Sequence, residues 1–130
     1  MTESPRPITI VIAAMGGEGG GVLTDWVVKA AEHAGFLVQS TSIPGVAQRT
    51  GATTYYVEIF PVPISDLDGR EPVFALYPAA GDIDVMIASE LLEAARAIQN
   101  GFVSPNRTAL IASTHRVYTI GERSDMADGR

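Results

Sequence analysis

The chain has 130 residues, 46% apolar and 18% charged, with 9 basic and 15 acidic side chains, a net charge of −6 and no cysteine. That is enough chain for one domain with one core; a charge fraction below the ~25% usual for soluble domains implies that a partner covers part of the surface. The acidity and the single lysine, Lys29, exclude a basic stripe for nucleic-acid phosphates and a polybasic membrane anchor. The lack of Cys excludes disulfides, thiolate-bound zinc, a cysteine nucleophile and an iron–sulfur cluster held by this chain alone, and it fits a cytoplasmic protein.

Residues 1–7 read as a polar tail carrying Pro5 and Pro7, and residues 8–130 as one domain. Ile8 to Ala13 is a β-branched run, the mark of a strand buried on both faces as in parallel sheets. At about eight residues it is too short for the ~20 of a membrane span. Residues 19–34 change period: Leu23, Trp26 or Val27, Ala30 and Ala34 recur at three and four and predict a helix with Trp26 in the core. Gly35 stops it, and Phe36 to Ser42 reads as a second strand, giving a βαβ unit. Residues 43–52 read as a loop. In Thr53 to Phe60, Thr53, Tyr55, Val57 and Ile59 alternate onto one strand face, leaving Tyr55 and Tyr56 on opposite faces. Val73 to Tyr77 and the buried run Ile83 to Ala88 are further strands. Ser89 caps a helix running to about Asn100, ended by Gly101, and Thr108 to Ser113 and Val117 to Ile120 complete the strands. The fold class is α/β: a Rossmann-like, mostly parallel sheet with flanking helices. Alternation calls for one more covering helix after residue 120, so the domain is expected to be C-terminally incomplete.

Ala14-Met15-Gly16-Gly17-Glu18-Gly19-Gly20-Gly21 follows the first strand and opens the helix. Glycines there let backbone approach a ligand, and the free amides of a helix start favour a phosphate or carboxylate. The competing reading is a tight turn that packs helix on sheet without a ligand. A dinucleotide site needs an acid at the end of the second strand; none occurs between Glu32 and Glu58, which argues against NAD. Glu18 would repel an anion unless paired.

The run from Gly16 to Thr24, with Gln39-Ser40-Thr41-Ser42-Ile43-Pro44-Gly45-Val46-Ala47-Gln48-Arg49-Thr50-Gly51-Ala52-Thr53, resembles the gamma-type domain of the 2-oxoacid:ferredoxin oxidoreductases, in its indolepyruvate branch. The pattern is a strand, a Gly-Gly-Gln-Gly turn and helix, then a Gly-x-x-Gln-Arg-x-Gly loop before an alternating strand. The likeness continues from Gly81-Asp82-Ile83-Asp84-Val85 to Glu90-Leu91-Leu92-Glu93-Ala94. Departures are Ala14 for the leading glycine, Glu18 for the usual Gln, and Thr50 for a glycine of pyruvate-type relatives.

The resemblance implies a subunit of an arylpyruvate oxidoreductase. Such a complex oxidatively decarboxylates 2-oxoacids to acyl-coenzyme A and passes the electrons to ferredoxin. Thiamine diphosphate, Mg²⁺, iron–sulfur clusters and coenzyme A belong to the whole complex, none being held by this chain alone. The implied partner is an alpha-type subunit or domain carrying thiamine diphosphate and clusters, with neither nucleic acid nor membrane involved. Other classes are a non-catalytic module binding a nucleotide or coenzyme A, and a structural assembly domain.

The candidate binding residues are Gly16, Gly17 and Gly19 in the turn and Ser42 at the end of the second strand; Gln48, Arg49 and Gly51 form a loop beside the substrate. No residue is assigned to catalysis and none to a metal. Arg49 can pair a carboxylate or phosphate, or form a surface ion pair. Ser40, Thr41 and Ser42 lie where open α/β sheets bind ligands, or merely cap the strand. His33 suits a helix C-terminus. His115, at a strand end, can serve as acid or base or hold structure. Glu90 and Glu93, three apart on one helix face, read as a solvated face, with paired-carboxylate acid–base work as the alternative.

Overall fold

The computed structural model describes residues 5–43 and 52–115. The elements run β1 (Ile8–Met15), α1 (Gly20–His33), β2 (Phe36–Ile43), β3 (Ala52–Pro63), a single 3₁₀ turn at Ile64–Asp66, β4 (Val85–Ala88), α2 (Leu91–Gln99) and β5 (Ala109–Ala112).

The strands form one sheet in the order β2-β3-β1-β4-β5. β1, β4 and β5 pair in parallel, while β3 lies antiparallel between β1 and β2. All strands but β3 therefore point the same way, and the sheet is mixed rather than wholly parallel. The β1-α1-β2 crossover exists, but β2 docks one place further out than a simple βαβ unit would put it. Tyr56 and Glu58 of β3 are buried with Val57, so both faces of its centre are covered.

Two helices cover opposite faces. A Cβ added at Gly20 would lie 2.6 Å from Ala14 Cβ and 3.1 Å from the Tyr55 ring, which sets α1 on the Ala14 and Tyr55 face. On the other face Val11, Ala13, Tyr56, Met86 and Ala88 form the core with Ala94 and Ala97 of α2. Because α1 sits so close, its buried stripe is made of small residues, Gly20, Thr24 and Ala31. Trp26, expected in the core, is instead 65% exposed.

Two further expectations are corrected. Val73 to Tyr77 is not a strand. Pro72 and Pro78 flank it, and side chains of the sheet hold its backbone. Glu58 Oε1 accepts from Ala75 N, Gln39 donates to Ala75 O, and Thr41 Oγ1 donates to Leu76 O. Glu90, not Ser89, caps α2, its carboxylate accepting from Glu93 N at 3.1 Å. Glu90 and Glu93 are 1% and 4% exposed, so neither belongs to a solvated face. An anionic cap also meets the positive end of the helix dipole. Val117 to Ile120 falls outside the described residues.

At the amino edge of the sheet Asp84 accepts from Thr9 N and from Arg107 Nε, and Arg107 Nη1 also reaches Asp82 at 3.0 Å. This network clamps the starts of β1, β4 and β5.

Candidate functional site

The first element of the site is the glycine turn. β1 ends at Met15, and residues 16–19 reverse the chain into α1. Gly17 and Gly19 have φ of +83° and +81°, values that side chains with a Cβ tolerate poorly. Gly19 is the helix N-cap and supplies no side-chain cap. Gly16, Gly17 and Gly19 are all exposed, so the turn is open to solvent.

Glu18 is the turn's only ionisable side chain, and it is fully engaged. Its Oε1 accepts from Met15 N at 3.1 Å and from Ser89 Oγ at 2.7 Å. Its Oε2 lies 3.3 Å from His115 Nε2. An amide, a hydroxyl and an imidazole thus hold the carboxylate in a fixed position within the turn. The His115 pair is half-exposed and contributes little to stability by itself, about 0–1 kcal/mol. The backbone of His115 matters as well, since its carbonyl accepts from Leu91 N at 2.7 Å and satisfies a first-turn amide of α2.

β1, β4 and β5 run in parallel, so the residues after each strand gather at one edge. This brings Glu18, Ser89 and His115 together from three separate places in the chain. Ser89 donates to the carboxylate and not to the imidazole, so the trio is not an activated serine nucleophile. Ser42, the last residue but one of β2, lies at the same edge, exposed and in register with Tyr55 of β3. The Tyr55 hydroxyl would stand 3.2 Å from a Cβ at Gly21, so it packs under the first turn of α1. Gln48, Arg49 and Gly51 lie outside the described residues, on the connection between the ends of β2 and β3.

Sequence reasoning placed the glycine turn between β1 and α1 and Ser42 near the end of β2, as the structure has them, but treated Glu18, Ser89 and His115 separately. Only the strand order unites them, and no spacing in the chain encodes it.

On the opposite side of β3, Tyr56 donates its hydroxyl to the buried Glu58 carboxylate. Burial first, and then Glu58, raise the phenol above its ordinary range, so it stays protonated. This pair anchors residues 73–77 and does not reach the carboxyl edge.

Among the described residues no cluster of three or more His, Asp or Glu could hold a metal ion. With no Cys in the chain, its residues do not fit an iron–sulfur cluster either. No described helix is long and apolar enough to cross a membrane.

No curated protein matches the chain at a significant level. Among solved structures it is similar to the pyruvate oxidoreductase subunit PORC of Thermotoga maritima, with 21% identity and a TM-score of 0.56. It is also similar to the gamma subunit of a keto/oxoacid ferredoxin oxidoreductase from Geobacter sulfurreducens, with 15% identity and a TM-score of 0.52. The aligned regions cover 87% and 81% of this chain but only 53% and 60% of those two, so the likeness speaks for the fold. The family model described as pyruvate ferredoxin/flavodoxin oxidoreductase matches residues 9–127, nearly the whole chain, and the protein belongs to that family.

Proposed function

We propose that this chain is the gamma-type part of an arylpyruvate:ferredoxin oxidoreductase, with indolepyruvate as the leading substrate. The complex would decarboxylate the 2-oxoacid, load the acyl group on coenzyme A and pass two electrons to ferredoxin. Family membership supports the reaction class. The indolepyruvate assignment rests on the sequence resemblance alone.

The observation that carries the site reading is the open glycine turn itself, with Glu18 held in place by Met15 N, Ser89 and His115. Gly16, Gly17 and Gly19 would lend backbone amides to an anionic group, with Ser42 at the same edge. The loop bearing Gln48, Arg49 and Gly51 would lie against the substrate, with Arg49 facing a carboxylate or phosphate. The redox groups would sit in an alpha-type partner, because this chain's residues do not fit them. The assembly would work in the cytoplasm.

Co-expression with an alpha-type subunit, followed by 2-oxoacid-dependent reduction of a viologen dye, tests this directly. Indolepyruvate should be turned over with higher kcat/KM than pyruvate. A preference for pyruvate would overturn the substrate assignment, and no turnover of any 2-oxoacid would overturn the function.

A further inference from the structure

β5 closes one side of the sheet, and among the described residues nothing pairs with its outer edge. Ala109 N donates to Asp84 O and Ser113 N to Ala88 O, both at 2.9 Å, so the odd-numbered residues turn their backbone toward β4. The alternate residues, Leu110 and Ala112, turn their N–H and C=O groups outward. The edge carries none of the devices that keep such groups from pairing with another chain: Thr108 to Thr114 contains no charge and no proline. Both faces of the strand are bare as well. Leu110 lies in register with Met86 on the α2 face, and Ile111 with Ile87 on the α1 face. α1 packs on β1, β2 and β3 and α2 on β1 and β4, which leaves Leu110 39% and Ile111 58% exposed.

The described chain turns away from this edge. His115 O accepts from Leu91 N at 2.7 Å, and His115 Nε2 lies 3.3 Å from Glu18 Oε2 in the turn after β1. The backbone leaving β5 is thus carried inward over β4 toward β1. A second copy is also a poor cover. It would bring the same bare strand, which leaves Leu110 and Ile111 without a layer above them, and it would set one net charge of −6 against another. On the reading of this chain as one part of a multi-chain oxidoreductase, on which this step rests, we infer that the outer edge of β5 receives an uncharged extended segment of the alpha-type partner, paired as an added strand, with apolar partner side chains closing over Ile111. The main-chain groups of Leu110 and Ala112 supply the attachment, and the two bare faces select apolar side chains beside it.

Amide hydrogen exchange in the isolated full chain, at low concentration, is compared with exchange in the complex purified with its alpha-type subunit. The Leu110 and Ala112 amides should exchange at least about tenfold more slowly in the complex. Ala112→Pro removes one outward N–H without touching a bond to β4 and should weaken complex formation at least about tenfold, whereas Ala112→Ser, which keeps the N–H, should not. Ile111→Lys, at an exposed position, should weaken the complex too, and it carries the test where the proline variant does not fold. A complex that forms with unchanged affinity in both Ala112→Pro and Ile111→Lys and leaves the two amides fast would overturn the edge as the contact while the functional reading stands. Slow exchange in the isolated chain would mean that the chain covers its own edge, and slowing with concentration alone would mean a second copy; either result overturns the partner strand. A wild-type chain that joins no alpha-type subunit and supports no 2-oxoacid turnover would overturn both readings.

Discussion

Ser89 Oγ donates to Glu18 Oε1 across 2.7 Å, tying the turn after β1 to the end of β4, 71 residues further on. Met15 N donates to the same oxygen at 3.1 Å. Both bonds need an acceptor oxygen and neither needs a negative charge. The Gln found at this place in the family's usual turn offers the same oxygen through its amide.

The exchange Glu18→Gln should therefore leave unfolding free energy within about 0.5 kcal/mol of the parent. Glu18→Ala strands a part-buried amide and hydroxyl and should cost about 1–3 kcal/mol. Urea denaturation of the two variants measures the contrast. Equal losses in both would mean that the charge, through His115, outweighs the hydrogen bonds.

Gly20 carries a different constraint from its neighbours in the turn. It lacks a positive φ, but a Cβ there would press to 2.6 Å from Ala14 Cβ. Gly17 has open space around it and a φ of +83°. Gly20→Ala should therefore push α1 off the sheet and cost about 1–3 kcal/mol, as overpacking does. Gly17→Ala should cost about 1 kcal/mol through backbone strain alone. Thermal melts should also show a change in the near-ultraviolet spectrum, from Tyr55, for the Gly20 variant only.

The fold was legible where the signal is local. The β-branched run of β1, the change of period into α1 and the Gly35 stop all lie within one element and its ends. Strand order was not legible, because a crossover helix says that β1 and β2 point the same way, not that β3 will insert between them. Trp26 misled because apolar size was taken to mark the buried face. An α1 that approaches within contact of Ala14 must bury glycine, alanine and threonine there instead. Glu90 and Glu93 misled for a related reason: a carboxylate that caps a helix end can be buried, and charge alone does not reveal its partner. The position of the glycine turn and of Ser42 near the end of β2 could be read, whereas the meeting of Glu18, Ser89 and His115 exists only in the folded topology.

Glu93 makes a prediction about pH. Burial is the main cause of its raised carboxyl, followed by the opposing pull of Arg96 and the smaller push of Glu90. A group whose folded pKa exceeds its unfolded one makes the folded state the better proton binder. Its contribution to stability is then fully present below 4.5 and is lost as pH rises through the folded value. Glu93→Gln should flatten the stability curve above pH 4.5 and leave the Tyr56–Glu58 pair undisturbed. Urea midpoints at several pH values between 4 and 8 read the effect. A parent and variant with parallel curves would rule out a raised Glu93.

Trp26 is the chain's one tryptophan and is 65% exposed, with Val22 one turn earlier at 53%. The two lie on the outer side of α1, away from the stripe formed by Gly20, Thr24 and Ala31. Leaving such side chains in water favours association, since each Å² of apolar surface buried is worth about 25 cal/mol. The isolated chain should therefore self-associate, and light scattering at rising concentration should show it. Trp26→Ser combined with Val22→Ser should shift the population toward monomer, with unfolding free energy within about 1 kcal/mol of the parent because neither side chain packs in the core. In the parent, Trp26 emission should be red-shifted and open to acrylamide quenching at low concentration, and protected as association proceeds. Unchanged association in the double variant would move the contact to another exposed apolar surface, such as β5, where Leu110 and Ile111 are 39% and 58% exposed. Quenching that stays constant across the concentration range would lead to the same conclusion by an independent signal.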